Sequence, residues 1–536
     1  MTKTCKLITF IGTSSYTETT YVFEKELAGK KITTSLIPIA ILKAVEDKYQ
    51  KIIPLIYLTP EAEKHENWQK LKSFLETEKL NDYKVIKYSL EERTTDLIAE
   101  TLDHIETGDH IILDITHAFR YIPAVTMVIL MYLKEAKKVT IDHILYGLYT
   151  KDAPESPVKD LTELVELTEW LFAARLFRQY GISKELAQLV KERVADIYKN
   201  GTQPQKPKLL SGFSLQLQEL SDSLQLGLIL DIRDNLHKFL NNYQENINFI
   251  REIEDFIPEL APLLADMFKT YAALNVPDDK EFELSEEELE AERELLKFYL
   301  NTGNLGAALR LAKEYLINLV LHHKLDSTDP LEFEERRKAA DLLSPCESRP
   351  YSALQDARNF IAHFGFKKGG IPGFTRIRED LEKLATSRGH VLLTPLGLSK
   401  GMLYTLLKIL EPDYTIVITS EQAALTIDEI AKKARYEKRR IKTFIVKDPY
   451  TGFNEIENLK RRVLNELRDF CVVTVNYTGG TSFLQYVVQT IADSTYPYQK
   501  ITKIFTIDRR PPEEQNENPY VLGEVVEIQN ICKGGD

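Results

Sequence analysis

The sequence predicts a mixed chain, α/β at both ends and all-α between them, and three observations carry that expectation. Apolar runs of strand length alternate with helical stretches over roughly the first 150 residues, the pattern of a parallel sheet with helices on both faces. The alternation then stops, and apolar residues recur at three- and four-residue spacing to about residue 385, as on the buried stripe of packed helices. After "TSRGH" the alternation returns. At 536 residues the chain is too long for one hydrophobic core, so several domains are expected.

The elements follow in order. "CKLITFIG" is an apolar strand that ends in the turn "GTSSY". "KIIPLIYLT", "YKVIKYSL", "DHIILDIT" and "VTIDHILYGLY" are further strands, with helical stretches between several of them. "DLTELVELTEWLFAARLFRQYG" opens the helical region, and "NVPDDKEFELSEEELEAERELL" reads as an acidic linker running into a new helix. Beyond it, "HVLLTPLGLSKGMLYTLLKIL", "YTIVITS", "IKTFIVK", "CVVTVNYTGGTSFLQYVVQTI" and "ITKIFTID" rebuild an alternating part, with a helix in "NEIENLKRRVLNEL". Four domains result: 1–160 and 388–536 Rossmann-like, 161–284 and 285–387 helical. In both α/β parts a late buried strand ends in a Thr-containing turn and runs into an apolar helix, an architectural rather than a sequence repeat.

Composition narrows the class. With 43% hydrophobic and 28% charged residues the chain is an ordinary globular protein. Cys5, Cys346, Cys471 and Cys532 lie far apart without C-x-x-C spacing, which predicts neither a zinc site nor a disulfide framework. No apolar run spans a membrane, and "MTKTCKLITFIGTSS" lacks a signal-peptide cleavage pattern, so a cytoplasmic protein is expected. The formal charge of −12 argues against an extended nucleic-acid surface, and no DNA partner is expected. An RNA or nucleotide must be met in a local pocket.

In a parallel sheet, ligands bind beyond the carboxyl ends of the strands, where strand order reverses. Free N–H groups and the positive dipole end of a helix suit phosphate there. In the N-terminal part the candidates are Gly12, Thr13, Ser14 and Ser15 after the first strand, with Thr116, His117 and Arg120 in "DITHAFR", the last two on the first helical turn. In the C-terminal part they are Thr394, Gly397, Ser399 and Lys400, with Asn476, Thr478, Gly479, Gly480, Thr481 and Ser482 in "NYTGGTS". The plainer alternative makes Thr116 and Thr478 helix N-caps and nothing more. G-x-G-x-x-G and the Walker lysine motif are both missing, which argues against ordinary NAD or ATP use.

"DARNFIAHFGF" concentrates polar chemistry in the third part. Arg358 and His363 are five apart, about 140° around a helix, so one helix does not close a site with both; Asn359 and His363, four apart, share a face. Two copies meeting on a two-fold axis would place Arg, Asn and His in one cleft. Histidine moves protons near neutrality, and the arginine fork matches a dianionic phosphorane, so the residue types suit metal-free RNA cleavage. Asn359 would hold the imidazole in one tautomer. The alternative is a polar helix face that carries Arg and His by chance.

"RNFIAH" also matches the R-x-x-x-x-H signature of HEPN ribonucleases. Together with "GTSSY", "DITHAFRY", "ILYGLY" and "PVKDLTELVELTEWLFAARLFRQYG", it makes roughly residues 1 to 385 resemble the CARF–HEPN effectors of type III CRISPR defence. The resemblance implies a homodimer that binds cyclic oligoadenylate in the CARF domain and cleaves single-stranded RNA in the HEPN domain, with Arg358, Asn359 and His363 catalytic. It implies no cofactor and no metal for cleavage. A two-fold pair of CARF domains fits a ring of even size, and cyclic tetra-adenylate is favoured. Ala118 departs from the glycine usual at that place. The C-terminal part looks like a second CARF domain, a binder of the same messenger or a ring nuclease that degrades it. The competing classes are a nucleotide-sensing regulator that cuts nothing and a HEPN toxin. "KKARYEKRRIK" (432–442) reads as a solvated basic helix face, and His322 and His323 in "LVLHHKL" as neighbours pointing different ways, not a metal pair.

Overall fold

The computed structural model describes residues 4–88, 94–117, 122–148, 153–200, 206–275, 283–343, 352–363, 373–386 and 388–528. The chain divides into two compact units, Met1–Phe172 and Ala173–Asp536.

The first unit is built on eight strands: β1 (Thr4–Phe10), β2 (Thr19–Phe23), β3 (Lys31–Thr34), β4 (Lys51–Leu58), β5 (Lys84–Lys87), β6 (His110–Asp114), β7 (Thr140–Gly147) and β8 (Glu155–Asp160). They lie in the order β3-β2-β8-β7-β6-β1-β4-β5. The five strands β7-β6-β1-β4-β5 are parallel. Their order, counted among themselves, is the doubly wound one, so the chain reverses direction across the sheet between β1 and β6. Strand β1 shows why it lies centrally. Cys5, Leu7 and Ile11 are buried in one apolar layer, Ile8 and Phe10 in the opposite one, as period-two alternation requires when both faces are covered. The sequence does not announce β2, β3 and β8, which extend the sheet; β2–β3 and β7–β8 pair antiparallel, so the sheet is mixed rather than purely parallel. Short, polar edge strands such as "KITT" carry too little apolar signal to be read in advance.

The second unit begins within the helix Glu163–Tyr180, continues through the helices from Lys184–Asn200 to Phe374–Ala385, and ends in a second sheet. The acidic linker leads into the helix Glu286–Asn301 as expected, with the Ser285 hydroxyl accepting from the Glu288 N–H. Strands β9 (Arg388–Leu396), β10 (Tyr414–Ser420), β11 (Ile441–Val446), β12 (Phe470–Asn476), β13 (Lys500–Ile507) and β14 (Glu524–Glu527) lie in the order β11-β10-β9-β12-β13-β14. The first five are parallel and again doubly wound, with the reversal between β9 and β12. The edge strand β14 is antiparallel to β13. The basic run 432–442 is not one helix. The helix Ile427–Ala434 stops at Arg435, whose φ of 56° is left-handed, and a short turn leads into β11. Among the described residues, no helix is long and apolar enough to cross a membrane.

Candidate functional site

At the reversal of the first sheet, the ends of β1 and β6 lie side by side, paired as far as Ile8 and Leu113. Asp114 closes β6 fully buried, and burial raises its pKa above the usual carboxylate range. It accepts from the Thr9 hydroxyl at 2.7 Å and from the Thr116 N–H at 3.0 Å. The Thr116 hydroxyl accepts from the Gly147 N–H on β7 at 2.9 Å. Thr116 is therefore a turn residue latched to the next strand. His117 follows in the same turn, and 118–121 lie outside the described residues. Its ring stacks on Tyr16 with centroids 4.0 Å apart. Burial pushes its pKa down to about 4, and its Nε2 is buried without a hydrogen-bond partner. Thr13, Ser14 and Ser15 are exposed at the mouth of this turn. A Cβ on Gly12 would come within 2.5 Å of the Tyr16 hydroxyl oxygen. Arg120 and Ala118 lie outside the described residues.

Sequence reasoning missed Asn67, 1% exposed, whose amide donates to the carbonyls of Gly12 and Ser14 at 2.9 and 2.8 Å and so shapes the loop. It sits in "HENWQK", distant in the chain and without a motif of its own.

The second sheet repeats the device with different residues. Asn476 closes β12 fully buried; its amide donates to the Thr394 hydroxyl of β9 at 2.9 Å, and its carbonyl accepts from the Thr478 N–H at 3.2 Å. The Thr478 hydroxyl accepts from the Thr506 N–H on β13 at 2.9 Å. A threonine on the central strand, an Asx at the end of its neighbour, and a threonine two residues on that latches to the following strand thus recur in both sheets. Gly479 and Gly480 have φ of 111° and 69°, a backbone that only glycine adopts without strain. A Cβ on Gly397 would come within 2.7 Å of the Gly480 Cα, so the two loops touch through bare backbone. Thr481, rather than Thr478, is the N-cap of the helix Ser482–Ala492, accepting from the Leu484 N–H at 3.3 Å. Ser399 precedes the helix Lys400–Leu410 without a side-chain cap bond. Lys400 is not a free cation: its Nζ lies 2.6 Å from Glu429 Oε2 and holds that carboxyl below its ordinary range.

In the helical part, Arg358 and Asn359 lie on the helix Ser352–Ala362, and His363 sits exposed in the turn after it. The expected Asn359–His363 helical pair is not the one the structure displays. Arg358 Nη1 donates to Asn359 Oδ1 at 3.3 Å instead, and the helix ends one residue short of the histidine. The following 364–372 lie outside the described residues.

Two polar turns lie at the reversal points of doubly wound sheets, the position at which such sheets generally bind nucleotides or phosphate. The comparisons with known proteins are specific about the first. Residues 6–149 match the CARF domain of the CRISPR system endoribonuclease Csx1, and residues 166–275 match the second domain of the CRISPR-associated protein MJ1674. The first unit is thus similar, over residues 6–149, to a Csx1-type CARF domain. The MJ1674 protein of Methanocaldococcus jannaschii is 27% identical over 183 residues, 33% of this chain and 26% of that protein. The matched stretch therefore spans about a quarter of the relative's length. A structure of Enterococcus italicus Csm6 bound to cyclic hexa-2′-fluoro-hexa-dAMP aligns at 12% identity over 72% of this chain and 93% of that one, with a TM-score of 0.30. That score is too low to bear on fold or ligand.

Proposed function

We propose that the protein is a cyclic oligoadenylate-activated endoribonuclease of type III CRISPR defence, acting as a homodimer on single-stranded RNA. The observation that carries this reading is the match of residues 6–149 to the CARF domain of a protein described as an endoribonuclease. The ligand would lie over Gly12–Ser15 and the Thr116–His117 turn. There, exposed hydroxyls and the unpartnered Nε2 of a neutral, stacked imidazole present both polar atoms and a flat face to a base or phosphate. Arg358 and His363 carry RNA cleavage across the two-fold axis. Histidine serves as proton carrier for the 2′-hydroxyl or leaving oxygen, and arginine neutralises the phosphorane. No step of this chemistry calls on a metal.

The C-terminal sheet is a second CARF-like domain that binds the same messenger, a reading supported by the shared threonine–Asx–threonine turn. A ring-cleaving role there would need Lys400 to leave Glu429 before it could steady a developing charge. The test uses the full chain with fluorescent single-stranded RNA and cyclic tri-, tetra- and hexa-adenylate added separately. Cleavage is expected with cyclic tetra-adenylate, to persist in EDTA, and to leave 2′,3′-cyclic phosphate ends. His363→Ala and Arg358→Ala should each abolish it while activator binding is retained. Binding of cyclic oligoadenylate without any RNA cleavage would favour the regulator reading, and equal activation by linear oligoadenylate would move the ligand site elsewhere.

A further inference from the structure

His322 and His323 close the helix Leu305–Lys324, and Glu286 opens the helix Glu286–Asn301. Adjacent helical residues diverge by about 100°, yet the structure brings both imidazoles to one carboxylate. His322 Nε2 lies 3.7 Å and His323 Nε2 3.8 Å from Glu286 Oε1. All three ligand atoms lie within 4.8 Å of one another.

The second observation concerns the inner histidine. The His323 side chain is 3% exposed, and its Nδ1 lies 3.0 Å from the backbone carbonyl of Tyr498, just before β13. A carbonyl only accepts, so Nδ1 carries a proton, and in the neutral ring Nε2 carries a lone pair. That Nε2 is buried, has no hydrogen-bond partner, and faces a carboxylate oxygen that also only accepts. Two acceptors face each other with no proton between them. Lys500 answers only half of this: its Nζ lies 2.5 Å from the same Glu286 oxygen, on a half-exposed side chain that can swing into solvent. A neutral imidazole whose other nitrogen donates to a backbone carbonyl is the usual arrangement of a metal-ligating histidine.

We propose that Glu286, His322 and His323 form a binding site for a divalent transition ion of the zinc type, with a remaining position for water. Two imidazoles and one carboxylate match that ion's preference for nitrogen and oxygen ligands at about 2.0–2.2 Å. Closing to those distances asks the exposed Glu286 and the partly exposed His322 to move toward the fixed His323. The site ties the two helices to the segment entering β13, so it acts as a staple inside the second unit. It is separate from the Arg358–His363 segment and does not depend on the ribonuclease reading.

The test uses the full chain, stripped with chelator and then titrated with Zn²⁺, with bound metal measured by elemental analysis and calorimetry and Co²⁺ as a spectroscopic probe. One ion per chain is expected, with the visible bands of a low-coordinate nitrogen–oxygen site and a rise in Tm on loading. Glu286→Gln and His322→Ala, both at accessible positions, should weaken binding at least tenfold, as should His323→Ala. His237→Ala, on another helix, should leave binding unchanged. Lys500→Ala should tighten binding, because it removes the competing cation. No stoichiometric binding by the wild-type chain, or binding that survives Glu286→Gln combined with His322→Ala, overturns the proposal.

Discussion

Glu292 shows how one buried residue sets a pH limit on the helical part. Its side chain is 1% exposed, and burial, with Glu288 one turn earlier, pushes its pKa up to about 8 despite Arg233 and Arg336 nearby. The Asn318 amide donates to one carboxyl oxygen at 2.8 Å, and the other has no partner. The unfolded chain releases this proton near 4.5 while the folded chain holds it to about 8. Stability is therefore full below 4.5 and lost as pH rises through that window, by up to about 1.4 kcal/mol per pH unit. Glu292→Gln keeps an acceptor for Asn318 and cannot ionise, so its denaturation midpoint should fall less between pH 5 and 8 than that of the wild type. Parallel pH profiles for the two proteins would refute the assignment.

The two polar turns make a prediction for elements. Thr116→Ala would leave the Gly147 N–H without its acceptor, and Thr478→Ala would do the same to Thr506, each at a cost of about 1–3 kcal/mol. Both turns should loosen without loss of the sheets, and Thr116→Ala should weaken messenger binding to the first unit. Gly397→Ala should cost a similar amount. Its Cβ would meet the Gly480 backbone rather than a flexible side chain, so the loops must part, at about 1–3 kcal/mol. Gly306→Ala, in the helix Leu305–Lys324 and with nothing nearer than 3.9 Å, should instead stabilise by about 0.5–1 kcal/mol. Urea denaturation of the four variants checks the order, and a Gly397→Ala protein as stable as Gly306→Ala would show that the loops do not touch as described.

For the whole molecule, the helices and the second sheet belong to one compact unit. The buried Tyr498 carbonyl that meets His323 joins them. Removing residues 388–536 would strip this contact, so point variants are the better probe of the C-terminal domain. If that domain consumes the messenger, Thr478→Ala in the full chain should keep the initial rate of activated RNA cleavage and prolong it after a single dose. Chromatography of cyclic tetra-adenylate held with excess protein checks the cause. An unchanged ring would leave the domain a sensor or a dimerisation element.

Much of the architecture was legible in the sequence, because strands buried on both faces must be apolar throughout and helices must carry an apolar stripe. "CKLITFIG" and "CVVTVN" therefore declared central strands, and "GTSSY", "DIT" and "NYTGG" declared the turns at their ends. The short strands β2, β3, β8 and β14 were not legible, since strands of four to six residues with few apolar positions take their stability from a neighbour rather than from their own composition. The roles of single residues were decided by tertiary structure. Thr116 and Thr478 are latches because the amides they accept from lie on the next strand, 31 and 28 residues away. Asn67 shapes a loop 53 to 55 residues from it. Glu286 meets the histidine pair only because two helices pack with their ends together. Local pattern reflects what a residue must bury; which polar group it faces depends on where the rest of the chain returns.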